Sequence, residues 1–167
     1  MATKSQIPAE DYLRMTFEHD AEFLHGEIVE RSMPDEMHSA IQFLILLRFG
    51  SLIQSRPLYP RPEIRMKVAP DKYRIADVAV FAGPHPKTVP ENPPLLIVEI
   101  VSKDDRYRDL MEKLEEYRHW GVPHIWVIDP LAKRFSTYTE IGLQNVSSLS
   151  LAECPIELTP AELFADL

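Results

Sequence analysis

The segment Leu95-Leu96-Ile97-Val98-Glu99-Ile100-Val101 is apolar at every position except Glu99. A short, continuous apolar run of this kind is typical of a strand that is covered on both faces of a sheet. An ionised carboxylate in such a strand is costly unless a metal ion, a lysine or an arginine lies beside it. The segment therefore predicts a buried strand in which Glu99 marks an active site, belongs to a buried ion pair, or reaches solvent at the strand end.

The flanking sequence alternates strand-like and helix-like segments. Five prolines in 83–94 predict an extended loop before the central strand. The order predicts an α/β fold with a central mixed sheet flanked by helices, as a single domain over 1–167 with its core at about 20–140. The predicted elements are a helix within 8–18, a hairpin at 21–31 with His25-Gly26 as its turn, a helix at about 36–54, strands at 63–68, 74–81 and 95–101, a helix at about 105–120 ended by Gly121, strands at 124–129 and 135–139, and a short helix after Thr159.

Composition narrows the class of protein. The chain has 167 residues, 45% of them hydrophobic, which suits a globular domain. No segment approaches the roughly 18 apolar residues of a membrane helix, and the polar start Met1–Glu10 lacks a signal-peptide core, so we expect a cytoplasmic protein without a membrane partner. The single cysteine, Cys154, excludes an internal disulfide and a cysteine-rich zinc site. The sequence contains no Gly-rich phosphate loop, G-x-S-x-G motif or Cys/His dyad.

The net charge of −8 argues against a protein whose main task is to hold nucleic acid. An acidic chain still binds nucleic acid when a local basic face is present. Six positive residues ahead of Glu99 form either such a face or a set of solvated strand and loop charges: Arg56, Arg61, Arg65, Lys67, Lys72 and Arg74.

A second lone acid, Asp77, lies within the apolar segment 74–81. If the two strands are neighbours, Asp77 and Glu99 lie on one wall. Two carboxylates that close repel each other unless a divalent cation lies between them, and oxygen ligands suit Mg²⁺ or Mn²⁺. The pair therefore predicts a metal site held by Asp77 and Glu99, whereas Asp77 alone would be read as a capping or turn residue.

A lysine on the following helix completes the candidate site. Leu110, Leu114 and Tyr117 form an apolar stripe, and Lys113 borders it, so its amine can reach the end of the Glu99 strand. There it would stabilise the charge on a phosphate or orient the attacking water. The alternative is a surface pair with Asp109, four residues earlier.

Two further residues are weaker candidates. Glu27 would be an additional metal ligand from the N-terminal region, and His38 would contact a phosphate or carry a proton; by spacing alone both read as plain polar residues. The helix that contains His38 is apolar on every side at 41–49, which indicates deep burial or a homodimer contact.

The order of these motifs is more specific than any one of them. Gly26-Glu27, His38 and Asp77 are followed by Val98-Glu99-Ile100-Val101-Ser102, by Asp109-x-x-x-Lys113-x-x-x-Tyr117-x-x-x-Gly121-Val122, and by Ile125-Trp126-Val127-Ile128-Asp129-Pro130. Over about residues 10–140, this order resembles the Uma-two family of endonucleases, a branch of the PD-(D/E)XK restriction-endonuclease-like superfamily.

The resemblance implies a restriction-endonuclease-like core, Mg²⁺-type ions held by Asp77 and Glu99, and hydrolysis of a phosphodiester by an activated water. The chain departs from the superfamily at two positions. Val101 stands two residues after Glu99, where the superfamily places its catalytic lysine, and Lys113 is the expected substitute. Ala76 precedes Asp77 in place of the proline, which has no chemical role.

Two main hypotheses follow. The first is a metal-dependent nuclease that acts on DNA, with Asp77, Glu99 and Lys113 in the roles given above and Glu27 and His38 assisting. The second is a binding or scaffold module that keeps the fold without catalysis, which the net acidity and Val101 favour. A hydrolase of another phosphate ester is a third, weaker reading, because only the resemblance selects DNA.

Overall fold

The computed structural model describes residues 6–84, 87–165 and 167. Its four helices within these ranges are α1 (Ala9–Arg14), α2 (Glu36–Gly50), α3 (Tyr107–Trp120) and α4 (Pro160–Leu163). The strands described are β1 (Ala21–Leu24), β2 (Glu27–Glu30), β3 (Tyr59–Ala69), β4 (Lys72–Phe81), β5 (Leu96–Ile100), β6 (His124–Asp129), β7 (Arg134–Thr139), β8 (Gly142–Val146), β9 (Leu149–Leu151) and β10 (Ile156–Leu158).

Eight of the described strands form one mixed sheet in the order β2-β1-β4-β5-β6-β7-β8, with β3 paired to β4. The β5–β6 pair is parallel, and α3 makes the crossover between them, as a parallel connection requires. The neighbouring pairs are antiparallel. The predicted α/β fold with a central mixed sheet and flanking helices is confirmed.

One edge of β4 changes partner halfway along the strand. Because β3 pairs with β4 from Lys72 to Phe81, β1 and β5 share the opposite edge. On that edge β1 pairs at Lys72 and Tyr73, and β5 pairs from Val78 onward. Residues 74–77 therefore lie in a fork between β1 and β5, without a strand partner on that side among the described residues.

Side chains fill this fork. The backbone N–H of Ile75 donates to Glu22 Oε1 at 2.9 Å, and Lys113 Nζ donates to the Ile75 carbonyl at 2.8 Å. On the facing strand, the N–H of Ile100 donates to Asp77 Oδ2 at 2.6 Å. Buried backbone groups need partners, and here charged side chains supply them in place of a neighbouring strand.

The helix α2 begins at a clear capping residue and packs against the sheet. Asp35 accepts a hydrogen bond from the backbone N–H of His38 at 2.9 Å, which fixes the first turn. Ile41 and Ile45 are fully buried in the core, whereas Phe43 is 63% exposed. The apolar helix is thus buried on one side and open on the other, and the homodimer stays a prediction.

The helix α3 lies over a second cluster of buried residues. Leu114 and Tyr117 are fully buried and pack with Ile97 of β5 and Ile125 of β6. The residues Leu96 and Val98, which alternate with Ile97 along β5, belong instead to the core that α2 covers. Since side chains alternate along a strand, α2 and α3 cover opposite faces of the sheet.

Several local predictions are confirmed with small shifts. His25 and Gly26 both have positive φ, 51° and 87°, as a type I′ hairpin turn requires. The strand predicted at 63–68 begins earlier, at Tyr59. Among the described strands β3 pairs only with β4, and an edge strand tolerates Pro60 and Pro62. The loop predicted at 83–94 has no regular element in its described part, and residues 85–86 lie outside that part.

The chain after β7 was not predicted in full. The strands β8, β9 and β10 are short and have mixed polarity, so no clear alternation marks them. The final helix is as predicted, with Thr159 and Glu162 forming a reciprocal capping box and Pro160 in the first turn. None of the described helices combines the length and the apolar character that crossing a membrane would need.

The end of α3 allows a direct test of backbone conformation. Gly121 has φ +102°, and a Cβ added there would meet nothing closer than Pro93 Cγ at 3.8 Å. Gly121→Ala should therefore lower the free energy of unfolding by about 1 kcal/mol through the left-handed backbone alone. Gly50→Ala is the matched control, because Gly50 ends α2 with ordinary φ and open space around it. Equal stability of the two variants in urea unfolding would contradict this account.

Candidate active site

A cavity of about 890 Å³ opens at the fork in the sheet. Four of the predicted site residues line it: His38 from α2, Asp77 from β4, Glu99 from β5 and Lys113 from α3. Glu27 does not line this cavity; it lies in β2 opposite Leu24. The structure therefore brings four of the five predicted residues together and leaves Glu27 apart.

Asp77 is 2% exposed and is surrounded by cationic and donor groups. Arg31 Nη2 donates to Asp77 Oδ1 at 2.5 Å, and the Ile100 N–H donates to Oδ2. Burial opposes ionisation of this carboxyl, but the adjacent His38 and the charges of Arg31 and Lys113 outweigh it and lower the pKa of Asp77 to about 2. Asp77 is therefore an anion at neutral pH.

Glu99 is held by two residues of α3. Lys113 Nζ donates to Glu99 Oε2 at 2.9 Å, and the Tyr117 hydroxyl donates to Oε1 at 3.0 Å. Burial and, after the opposing effect of Lys113, the charge of Asp77 raise the pKa of Glu99 to about 7. The two carboxyls differ because Asp77 has several cationic neighbours, whereas Glu99 shares Lys113 with other groups.

Lys113 lies where the sequence placed it, over the end of the Glu99 strand rather than paired with Asp109. Its Nζ also lies 3.2 Å from Glu22 Oε1. Burial lowers the pKa of Lys113, but the charges of Glu22 and Glu99 more than offset this and raise it. The amine is therefore a fixed positive charge between two carboxylates.

Glu22 is a site residue that sequence reasoning missed. It is 5% exposed and accepts hydrogen bonds from Arg74 Nη1 at 2.7 Å and from the Ile75 N–H. Arg74 in turn bonds to Glu116 of α3. In sequence, Glu22 sits in a short hairpin strand whose polar residues look solvated, and only the pairing of β1 with β4 brings it into the fork.

Three further residues that sequence reasoning missed surround Asp77: Arg31, Gln42 and Glu63. Glu63 Oε1 accepts from Gln42 Nε2 at 2.8 Å, and the same amide donates to the Asp77 carbonyl at 2.7 Å. Arg31 bridges Glu63 and Asp77. Glu63 has φ +45°, which is strained for a side chain of its size. In the sequence, Glu63 follows Pro60-Arg61-Pro62, and no local pattern there marks it as a site residue.

The structure offers a different group of possible metal ligands from the predicted pair. Among the described residues, the ligand atoms of His38, Glu63 and Asp77 lie within 4.8 Å of one another. Glu99 is not in this group. Its carboxylate is directed to α3, whereas Asp77 also contacts α2, so the predicted Asp77–Glu99 ion site remains a proposal.

The six clustered positive residues do not form an open basic face as a set. Lys72 and Arg74 both pair with Glu116, Lys67 lies 3.7 Å from Glu91, and Arg65 lies over the ring of Tyr12. The cavity itself is lined by more carboxylates than Lys and Arg side chains. Local pairing therefore accounts for most of this cluster.

The overall fold of this chain is also found in a solved structure. A crystal structure described as a putative nuclease belonging to DUF820, from Anabaena variabilis ATCC 29413, is similar to this chain with a TM-score of 0.85. It shares 20% sequence identity, over 95% of this chain and 98% of that one. A comparison with curated proteins finds no match.

The chain belongs to the Uma2 family, whose model is described as "Putative restriction endonuclease" and matches residues 9–164. The resemblance seen in the motifs is thereby confirmed. The match extends beyond the motif region at both ends and includes β8 to β10 and α4.

The Glu22 network generates a prediction with a pH signature. Glu22→Gln removes the countercharge of buried Arg74 and Lys113 and should lower the free energy of unfolding by about 3 kcal/mol at pH 7. Burial raises the pKa of Glu22, but the charges of Lys113 and Arg74 outweigh burial and lower this pKa below its ordinary 4.5. Its stabilising contribution is thus complete above that value and is lost as the pH falls through the lower folded pKa.

The difference between wild type and Glu22→Gln should therefore be constant above about pH 5 and shrink below it. Chemical denaturation from pH 3 to pH 8 measures it. Glu157→Gln, at an exposed position in β10, is the control and should show little difference at any pH. A difference that grows as the pH falls would refute the assignment.

Proposed function

We propose that the protein is a divalent-metal-dependent endonuclease that hydrolyses phosphodiester bonds in DNA. The observation that carries the proposal is the hydrogen bond between Lys113 Nζ and Glu99, next to the ionised Asp77, in a cavity open to solvent. An acid pair beside a fixed cation is the arrangement that metal-assisted phosphodiester hydrolysis needs. The family description supports the same class of reaction.

The residues at the fork fit a divalent ion. Asp77 is an anion held in place by the Ile100 N–H, and Glu99 lies on the neighbouring strand. Carboxylate oxygens suit Mg²⁺ and Mn²⁺. We propose that Asp77 and Glu99 hold the ion, which when bound polarises a phosphoryl oxygen and makes water a stronger nucleophile.

The chain's own residues then have distinct tasks. Lys113 is fixed by Glu22, Glu99 and the Ile75 carbonyl, so its charge is positioned before a substrate arrives. We assign it the stabilisation of the phosphate charge, the role expected of a lysine at the position that Val101 occupies. Tyr117 orients Glu99 through its hydroxyl.

The choice of DNA rests on the family description, and electrostatics determine how such a substrate would bind. A cavity lined mainly by carboxylates repels a bare phosphodiester. Binding of a divalent cation reduces that repulsion, so substrate binding should depend on the metal. This dependence also reconciles a nucleic-acid substrate with the net charge of −8.

Cleavage of plasmid and linear DNA with Mg²⁺ or Mn²⁺ tests the function. Glu99→Gln and Lys113→Met should each lower the cleavage rate by about 100-fold or more, because each removes a group needed in the transition state. Lys133→Met, remote from the cavity, should cleave like the wild type. Undiminished cleavage by Glu99→Gln, or cleavage at full rate in EDTA, would refute the proposal.

A catalytically inactive scaffold is the second candidate, and one observation favours it. Lys113 and Tyr117 already satisfy both oxygens of Glu99 as a closed network. Calorimetric titration with Mg²⁺, which prefers the oxygen ligands of Asp77 and Glu99, separates the two functions. Binding that is lost in Glu99→Gln would count against the scaffold, and the absence of binding would favour it.

A further inference from the structure

We propose that His38, Glu63 and Asp77 form a second cation site, selective for Mn²⁺-like transition metals over Mg²⁺, in which Arg31 is the exchangeable resident cation. The site differs from the Asp77–Glu99 position in two of its ligands, His38 of α2 and Glu63 of β3, which replace Glu99 of β5. It shares Asp77 with the proposed nuclease site. Its existence does not depend on catalysis, although its role in the reaction rests on the proposed function.

The geometry brings three ligand atoms together from three elements. His38 comes from α2, Glu63 from β3 and Asp77 from β4, and their ligand atoms lie within 4.8 Å of one another. The side chains of His38 and Asp77 are 9% and 3% exposed. A small ion at their centre would be within coordination reach of all three after slight adjustment.

His38 supplies an independent observation. It is 7% exposed, and neither ring nitrogen has a hydrogen-bond partner among the residues that the structure describes. Its Nε2 lies 3.4 Å from Asp77 Oδ1 without the geometry of a hydrogen bond. Buried polar groups are nearly always satisfied, and leaving one unsatisfied costs free energy. An orphan imidazole directed at two carboxylates is therefore explained by a ligand that it receives there.

Arg31 shows that the two carboxylates attract a cation. Its guanidinium donates to Glu63 through Nη1 and to Asp77 Oδ1 through Nη2. Burial lowers the pKa of Arg31, but the charges of Asp77 and Glu63 more than offset this and raise it, so it stays protonated. Among the described residues, Arg31 donates to both carboxylates but not to His38, so the imidazole is the one member of the group that Arg31 leaves without a partner.

The donor set decides which ion fits. One imidazole nitrogen and two carboxylates suit Mn²⁺, Fe²⁺ or Zn²⁺ better than Mg²⁺ or Ca²⁺, which prefer oxygen. The proposed Asp77–Glu99 position has oxygen ligands only. The shared Asp77 would thus border two ions of different preference.

Metal entry would free Arg31 from Glu63 and Asp77. Arg31 lines the cavity, so its guanidinium would become available to a phosphate group. A guanidinium binds a phosphate through two parallel N–H···O hydrogen bonds. Binding of the ion would then convert a carboxylate-neutralising arginine into a phosphate-binding one. This consequence is the part that rests on the proposed function.

Titration of the metal-free full chain with MnCl₂ tests the site, by calorimetry and by pulsed electron paramagnetic resonance for ¹⁴N coupling to Mn²⁺. The wild type should show imidazole nitrogen coupling. His38→Ala should lose that coupling and bind Mn²⁺ about tenfold more weakly or worse. His119→Ala removes an exposed histidine outside the cavity and should retain both.

Arg31→Met tests the exchange and guards against effects of misfolding. Removing the competing cation should tighten Mn²⁺ binding and destabilise the metal-free protein, a combination that general damage does not produce. If His38→Ala does not fold, Glu63→Gln at a half-buried position takes its place in the test. This variant should also weaken Mn²⁺ binding. Nitrogen coupling that persists in His38→Ala, or unchanged Mn²⁺ affinity in Arg31→Met, would overturn the inference.

The two proposals fail separately. If Glu99→Gln loses DNA cleavage but keeps nitrogen coupling, both stand. If the wild type shows coupling without cleavage, the second site stands and the proposed function fails. If the wild type cleaves DNA without nitrogen coupling, the proposed function stands and the second site fails.

Discussion

The unpaired edge of β4 between β1 and β5 is the constraint on which the rest of the site depends. Two backbone groups of Ile75 and the N–H of Ile100 would be buried without partners if the fork were lined by apolar side chains. Glu22, Lys113 and Asp77 satisfy them. The same charges that complete the sheet thereby form the site, so fold and chemistry are coupled at this point.

This coupling explains why the charges lie in two groups. Lys113 and Tyr117 come from α3 on one face of the sheet and hold Glu99. His38 and Gln42 come from α2, on the opposite face, and approach Asp77. The fork is where the two groups meet. Carboxyls on adjacent strands consequently have pKa values displaced in opposite directions, about 2 for Asp77 and about 7 for Glu99.

Much of the fold was accessible from sequence because its elements carry local signals. The lone acids Asp77 and Glu99 stood out because charge is rare in buried strands. Glu22 and Glu63 did not, because an acid in an amphipathic strand looks solvated until the strand pairing is known. The left-handed backbone of Glu63 and the Arg31 bridge are tertiary features without a local pattern.

The central claim is that the fork binds a divalent ion between Asp77 and Glu99. The most direct measurement is a crystal structure after soaking in MnCl₂, with anomalous scattering to locate manganese. The account predicts an anomalous peak in contact with carboxylate oxygens of both Asp77 and Glu99. The absence of a peak there, with Glu99 still bonded only to Lys113 and Tyr117, would contradict it.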